Sequence, residues 1–249
     1  MTFLYLGVSL LNLRFILIFS YNYGLKFIKR GPSYLIASLA LPLSLLFLIF
    51  IISGGRLLPY AIIGGVLSIV TSNAINGAAD AAFFRLQIRF QDLFVASPLT
   101  KMDYMTALTA SYFVFSLPGI ILYVALGFIF HILNLLKLIV LILVIFLITI
   151  SFTNLAFIIA GLLKHIRNVW GITAILSIIA TVLTPTFYPY FIIPKNFLMV
   201  LLISPITPAS IFLQGDFGLA PYDAISIPIL IIETIALMIM GNYFIKWRE

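Results

Sequence analysis

Few side chains in this sequence could take part in acid–base or metal chemistry. Of its 249 residues, seven are Asp or Glu, two are His and none is Cys. The HExxH, GxSxG and GxxxxGK[ST] patterns, which would supply a zinc site, a serine nucleophile or a phosphate-binding loop, do not occur. His131 and His165 follow different apolar segments and are expected on opposite sides of a membrane, so they cannot share a metal. The sequence therefore predicts no catalytic, cofactor-binding or metal site on this chain.

One carboxylate, Glu233, lies near the middle of the apolar run over residues 225–245. An ionisable side chain at such a depth in a membrane is costly and indicates a substrate path, a proton relay or a partner contact. The alternative is a protonated carboxyl group that is hydrogen-bonded to a neighbouring helix. Asp80, near the end of another apolar run, is interpreted as a packed or solvated terminal residue. Glu233 is therefore the candidate for a substrate path.

Residues 83–106 form the longest polar stretch of the chain. Apolar Phe84, Ile88 and Phe94 are interspersed with charged residues, and this pattern predicts a short amphipathic helix over residues 83–95. Ser97 and Pro98 are expected to break that helix. A helix held across the membrane surface between two spans is an element that a partner protein could push. The alternative is a plain amphipathic connection.

Several side chains of this segment are candidates for contact with a partner protein. They are Arg85, Arg89, Asp92, Leu93, Phe94, Pro98 and Asp103. Thr100, followed three residues later by Asp103, resembles a capping box in which Asp replaces the usual Glu or Gln. A helix is therefore expected to start at this point.

The composition indicates that the helices carrying these residues are surrounded by lipid rather than by water. Hydrophobic residues make up 63% of the chain and charged residues 8%, whereas soluble domains are about half apolar and a quarter charged. A bilayer core about 30 Å thick requires roughly 20 apolar residues per helix. Such runs predict six spans, over residues 34–52, 60–82, 107–130 and 138–163, from 169 to near 184, and over 225–245. The predicted fold is an all-α membrane protein with a single transmembrane domain over residues 1–249.

Two further segments are apolar but are interrupted by polar residues or prolines, unlike ordinary spans. Residues 1–31 predict an amphipathic helix that lies in the membrane interface, because Asn12 and Arg14 disfavour the alternative of a seventh span over residues 3–19. Residues 184–222 contain repeated prolines and predict a re-entrant or surface segment before the last span.

The distribution of positive charge predicts the orientation of the chain. With six spans, three of the 14 Lys and Arg residues, Arg56, Lys137 and Lys195, lie on one side and the rest on the other. The positive-inside rule then places both termini and residues 83–106 in the cytoplasm of a multi-pass protein of the cell membrane. The basic residues are scattered at span ends rather than gathered in a patch, so nucleic acid is not an expected partner.

The chain resembles the type-2 family of ABC transporter permeases over nearly its whole length. The resemblance rests on the N-terminal helix ending in Lys29, Arg30, Gly31 and Pro32, on the Asp92 to Tyr104 stretch with its Ser-Pro-Leu-Thr element, and on the external motifs Tyr188-Pro189, Pro194, Ser204-Pro205 and Thr207-Pro208. Residues 83–106 resemble the coupling region of that family. Two positions depart from the family pattern, which often has Asn at the position of Ser204 and a basic residue near Gln214.

The resemblance implies a permease subunit of an ATP-binding cassette exporter. Two permease copies would form the substrate path in the lipid bilayer, and separate ATPase subunits, which hold the ATP and magnesium, would drive it through the coupling region and the N-terminal helix. The competing interpretation is an ion-coupled secondary carrier or channel, which would usually carry more intramembrane charge than Glu233.

Overall fold

The computed structural model describes residues 11–247. The regular structure in that range consists of α-helices, two π-helical turns and one 3-10 turn, with no β-strand. The α-helices are, in chain order, α1 (Leu13–Ser20), α2 (Lys26–Arg30), α3 (Pro32–Ser53), α4 (Leu58–Leu86), α5 (Phe90–Val95), α6 (Lys101–Ile129), α7 (Leu135–Leu162), α8 (Ile166–Ile178), α9 (Lys195–Leu201), α10 (Ile206–Asp216) and α11 (Ser226–Phe244). π-Helical turns at Tyr21–Leu25 and Ile179–Leu183 join α1 to α2 and extend α8.

Within residues 11–247, six helices are long and apolar enough to cross a membrane: α3, α4, α6, α7, α8 with its π-helical extension, and α11. This confirms the prediction of an all-α membrane protein with six spans. The 28 residues of α7 rise about 42 Å at 1.5 Å per residue, which exceeds a hydrocarbon core of about 30 Å. We therefore expect α7 to tilt or to protrude from the membrane.

Helix α4 is the centre of the bundle. It packs against α3, α6, α7, α8 and α10. In an apolar stretch of 18 residues of α4, 89% of the residues are buried, compared with 6% in the corresponding stretch of α3. Close packing depends on glycines, because an added Cβ would overlap the Tyr123 ring at Gly65 and the Tyr112 ring at Gly77. Small residues let helices approach closely in lipid, and α6 approaches α4 closely at these two glycines.

The structure corrects the predicted amphipathic helix over residues 83–95. Helix α4 continues to Leu86, and a turn that ends at Arg89, where φ is 51°, separates it from α5. The extension of α4 has a physical cause. Phe84 is buried among aromatic rings and Arg85 binds the end of α7, so this last turn packs as part of the bundle.

The N-terminal helix is described from residue 11 onward, and residues 1–10 of the predicted interfacial helix lie outside the described range. Helix α1 packs its buried residues Ile16, Phe19 and Ser20 against α6. In the π-helical turn that follows, an added Cβ at Gly24 would lie 2.9 Å from the Ser111 carbonyl oxygen. The helical segment over residues 13–25 therefore lies along α6, and α2 leads from it to α3, which begins at Pro32.

The predicted re-entrant or surface segment before the last span is confirmed. Helices α9 and α10 are bent by 117° relative to each other. Helix α9 has no buried residue, whereas α10 is buried against α4, α7 and α11.

Gln214 on α10 holds this segment together. It is fully buried, and its amide nitrogen donates to the Pro185 and Tyr188 carbonyl oxygens at 2.7 and 3.0 Å, while its amide oxygen accepts from the Tyr190 N–H at 3.1 Å. One side chain thus binds three backbone groups of the proline-rich segment between α8 and α9, and the Ser210 hydroxyl also donates to the Pro185 carbonyl oxygen at 2.6 Å.

Candidate functional site

One end of the bundle, which we call the basic end, brings together three segments. They are the connection between α4 and α6 over residues 87–100, the connection between α7 and α8, and the chain after α11. Gln91 on α5 donates through Nε2 to the Lys246 carbonyl oxygen at 2.5 Å, and Lys101 donates through Nζ to the Asn242 carbonyl oxygen. Arg85 at the end of α4 donates to the Ala160 and Leu163 carbonyl oxygens at 2.7 and 3.1 Å. Residues 85–101 are therefore bound to the end of α7 through Arg85 and to α11 and the residues after it through Lys101 and Gln91.

Asp103 fastens the N-terminal helix to this end. It completes a capping box with Thr100, whose hydroxyl accepts from the Asp103 N–H at 3.1 Å and donates to Oδ2 at 2.7 Å. Its other oxygen, Oδ1, accepts the Asn12 N–H at 2.6 Å. The capping box predicted from the sequence is confirmed, and the same carboxylate also joins two segments that are 91 residues apart in the chain.

Phe94 anchors α5 to the bundle. Its ring centroid lies 4.8 Å from that of Phe90, 5.4 Å from Phe15, 5.6 Å from Tyr104 and 5.8 Å from Phe19. These are the distances at which aromatic pairs attract. The cluster contains residues of α1, α5 and α6, so α5 is packed against both the N-terminal helix and the next span.

The side of residues 87–100 that lies opposite the Phe94 ring cluster faces outward. Ile88 is 50% and Leu93 65% exposed, and the side chains of Arg89, Asp92 and Pro98 are exposed too. We call the surface formed by Ile88, Arg89, Asp92, Leu93 and Pro98 the outer face of the connection. It combines two large apolar side chains with one positive and one negative charge, a mixture suited to contact with another protein.

The candidate contact residues therefore fall into two groups. Arg89, Asp92, Leu93 and Pro98 lie on the outer face. The side chains of Arg85, Phe94 and Asp103 are turned inward, where they bind the end of α7, the aromatic cluster and the N-terminal helix. These three side chains hold the connection in place, and direct contact between them and a partner stays a prediction.

A polar cavity of about 280 Å³ lies within the same half of the bundle. It is bounded by α3, α4, α6, α8 and the π-helical turn after α1, and Asp80 of α4 lines it. Asp80 is six residues before the end of α4, or about 9 Å along the helix axis, and Asn73 lines the cavity about 20 Å from that end. The cavity thus extends from near the basic end toward the middle of the span.

Two tyrosines hold the Asp80 carboxylate. The Tyr112 hydroxyl donates to Oδ2 at 3.0 Å, and the Tyr23 hydroxyl is a second donor. Burial raises the pKa of Tyr23 well above its ordinary value, and the negative charge of Asp80 raises it further. Among the side chains that the structure describes, Asp80 forms no ion pair with Lys, Arg or His. This carboxylate therefore has two neutral donors and no described positive partner.

The cavity opens between α3 and α8. Trp170 on α8 is 52% exposed, and Ala37 on α3 and Asn76 on α4 are exposed as well, although all three line the cavity. Four aromatic side chains, Tyr23, Tyr112, Phe115 and Trp170, form much of the wall. The opening therefore lies on the outer surface of the bundle as this chain alone forms it.

Glu233 does not belong to this cavity. It lies on α11, which contributes no residue to the cavity wall. Its Oε2 atom is buried and has no hydrogen-bond partner in the described part of the chain. The adjacent Thr234 pairs with Ser151 of α7 at 2.8 Å. The structure therefore does not bring Glu233 together with Asp80, and the role of Glu233 in a substrate path stays a prediction.

The sequence interpretation treated Asp80 as a terminal residue and thereby missed the cavity. A signal was present, because Asn73, Asn76 and Asp80 are spaced by three and four residues and so share one face of α4. The partners on α6, α8 and the N-terminal segment are distant in sequence and gave no comparable signal. Within residues 11–247 no group of three His, Asp or Glu side chains comes together, so a cation in this cavity would rely on a single carboxylate.

These features define a multi-pass α-helical membrane protein with a braced surface connection at one end and a polar cavity above it. No protein-family model matches the chain, and no curated protein matches its sequence.

Proposed function

We propose that the chain is the membrane-spanning permease subunit of an ATP-binding cassette exporter, resident in the cell membrane with both termini in the cytoplasm. A second permease copy would complete the substrate path, and separate ATPase subunits would supply the energy. The observation that carries the proposal is the connection between α4 and α6, which is rigidly bound on its inner side and exposes charged and apolar side chains on its outer face.

The bracing of the connection supports a mechanical role. A surface helix can transmit movement to its spans only if it cannot slide on them, and α5 is held by the Gln91 bond to the chain after α11 and by the Phe94 ring cluster. At each end of the connection, Arg85 and Asp103 fix the adjoining span to α7 and to the N-terminal helix. Displacement of α5 by a partner would thus move several spans together, as in rigid-body switching.

The charge distribution supports the orientation. Arg89, Lys101, Lys164, Arg167 and Lys246 all lie in or beside the connections of the basic end. Basic residues are enriched in cytoplasmic loops. A cytoplasmic ATPase would therefore meet the outer face of the connection.

A second candidate function is an ion-coupled secondary carrier or channel. It is favoured by Asp80, a second carboxylate within the spans that the sequence interpretation had not counted as intramembrane. In such a carrier, transport in vesicles would follow an ion gradient and would not require ATP. In the proposed exporter, transport would require ATP and a bound ATPase.

The outer face can be tested with photo-crosslinkers placed singly in the full-length protein in native membranes. A crosslinker at Leu93 should capture a protein that carries a GxxxxGK[ST] phosphate-binding loop, identified by mass spectrometry of the crosslinked band. The matched control is a crosslinker at Phe191, which is 55% exposed near α9 at the other end of the bundle.

Capture of an ATPase from Leu93 and not from Phe191 would support the proposal. Capture of an ATPase from Phe191 alone would show that the orientation and the assigned coupling surface are both wrong. Failure of both positions to capture any ATPase, with the protein correctly inserted, would argue for the carrier.

A further inference from the structure

We propose that the Asp80 cavity is a binding site for a lipophilic organic cation, a molecule with one ammonium or phosphonium charge and an apolar body. This inference rests on the proposed exporter function, because it names the class of substrate that such a permease would take from the membrane. It concerns a region that shares none of its residues with the outer face of the connection.

The charge of the ligand follows from the environment of Asp80. A carboxylate within a membrane span is costly unless it is paired, and its described partners are two neutral hydroxyl groups. A positive charge that enters the cavity would supply the missing countercharge. An anion would meet the carboxylate with no described basic side chain on the wall to offset it.

The organic character of the ligand follows from the wall. Four of the ten lining residues are aromatic, and aromatic faces attract alkylated ammonium groups through cation–π interaction, a common mode of recognition for quaternary ammonium ligands. A bare metal ion would instead need several oxygen ligands at short distance, and no group of three His, Asp or Glu side chains forms among the described residues.

The amphiphilic character follows from the opening. The cavity volume of about 280 Å³ holds a small charged group, whereas Trp170 and Ala37 lie at a mouth on the outer surface of the bundle between α3 and α8, where lipid would reach it in a single inserted chain. A ligand could therefore place its charged group beside Asp80 while its apolar part remains at the mouth or in lipid. Entry would take place from the half of the bilayer nearer the basic end.

The test uses the full-length protein in nanodiscs of zwitterionic lipid and measures equilibrium binding of radiolabelled tetraphenylphosphonium. Tetraphenylborate, an anion of nearly the same size and shape, controls for simple partition into lipid. We expect saturable binding of the phosphonium and no saturable binding of the borate. Asp80→Asn keeps an acceptor for the tyrosines and removes the charge, and it should weaken phosphonium binding at least tenfold.

Asp216→Asn is the matched control, because Asp216 lies on α10 outside the cavity wall, and it should bind as the parent does. Trp170→Leu removes an exposed ring at the mouth and should weaken binding threefold or more, with Trp170→Phe restoring most of it. The Trp170 pair keeps the proposal testable if Asp80→Asn is not monodisperse on gel filtration.

Three results would overturn the proposal: unchanged phosphonium binding in folded Asp80→Asn, unchanged binding in Trp170→Leu, or displacement of the phosphonium by millimolar sodium or potassium as effectively as by unlabelled phosphonium. The assay contains no ATPase, so its outcome is independent of the crosslinking at Leu93. Phosphonium binding without capture of an ATPase would refute the exporter and leave the cation site standing.

Discussion

Adjacent residues on α5 provide a direct test of how the connection is built. Phe94 packs against four aromatic rings, whereas Leu93 is 65% exposed on the outer face. Phe94→Ala should therefore lower the stability of the protein, and Leu93→Ala should leave stability unchanged and weaken binding of the ATPase.

The expected loss of stability in Phe94→Ala follows from how far the Phe94 side chain is buried. Replacement of a fully buried Phe by Ala costs about 3–5 kcal/mol, and Phe94 is only partly buried, so we expect about 2 kcal/mol. Part of this loss comes from ring contacts, which contribute about 0.5–1.5 kcal/mol per pair and are not additive. Exposed substitutions usually change stability by less than about 0.5 kcal/mol. On the scale of about 2–4 °C per kcal/mol for domains of this size, Phe94→Ala should melt about 4–8 °C lower.

The assay is thermal unfolding in detergent, combined with hydrogen exchange of the backbone over residues 13–20. Because Phe15 and Phe19 of α1 lose a ring contact when Phe94 is truncated, exchange in α1 should accelerate in Phe94→Ala and not in Leu93→Ala. Equal melting temperatures for the two variants, or faster exchange of α1 in Leu93→Ala, would show that α5 is not oriented as described.

Three further tests address other features of the molecule. Gln214→Leu leaves buried backbone groups of the proline-rich segment without partners, so we expect a loss of about 2–3 kcal/mol, measured as a lower melting temperature, and faster proteolysis after residue 184. Gly77→Ala must displace the Tyr112 ring and should cost about 1–3 kcal/mol in thermal unfolding, whereas Gly171→Ala, with no atom within 4 Å of the added Cβ, should be neutral or slightly stabilising. Glu233→Gln should alter transport with assembly intact if Glu233 lines the path, and unchanged transport in vesicles would end that hypothesis.

The spans could be predicted from the sequence because membrane burial requires long apolar runs, and runs of that kind are visible without knowledge of any contact. The capping box was equally local, since Thr100 and Asp103 are three residues apart. The re-entrant segment could also be predicted, because repeated prolines cannot form one continuous helix.

The boundary of α4 could not be predicted in the same way. Whether residues 83–86 belong to a span or to a surface helix depends on the end of α7, where Arg85 finds its acceptors 75 and 78 residues later in the chain. The Asp80 cavity was missed for the same reason. Its polar face on α4 was visible, but the tyrosine donors and the tryptophan at the mouth come from three other segments that no local pattern connects to it.

The bonds that hold the connection also impose an order on its assembly during synthesis. Gln91 finds its acceptor at residue 246, so α5 lacks that bond until 155 further residues have been made and α11 has been inserted. Asn12, in contrast, gains its partner Asp103 after only 91 further residues have been made. The bracing of the connection would therefore be complete only after the last span is in the membrane. A chain stalled before α11 would hold the connection through the Phe94 rings and the Asp103 bond, without the bond from Gln91.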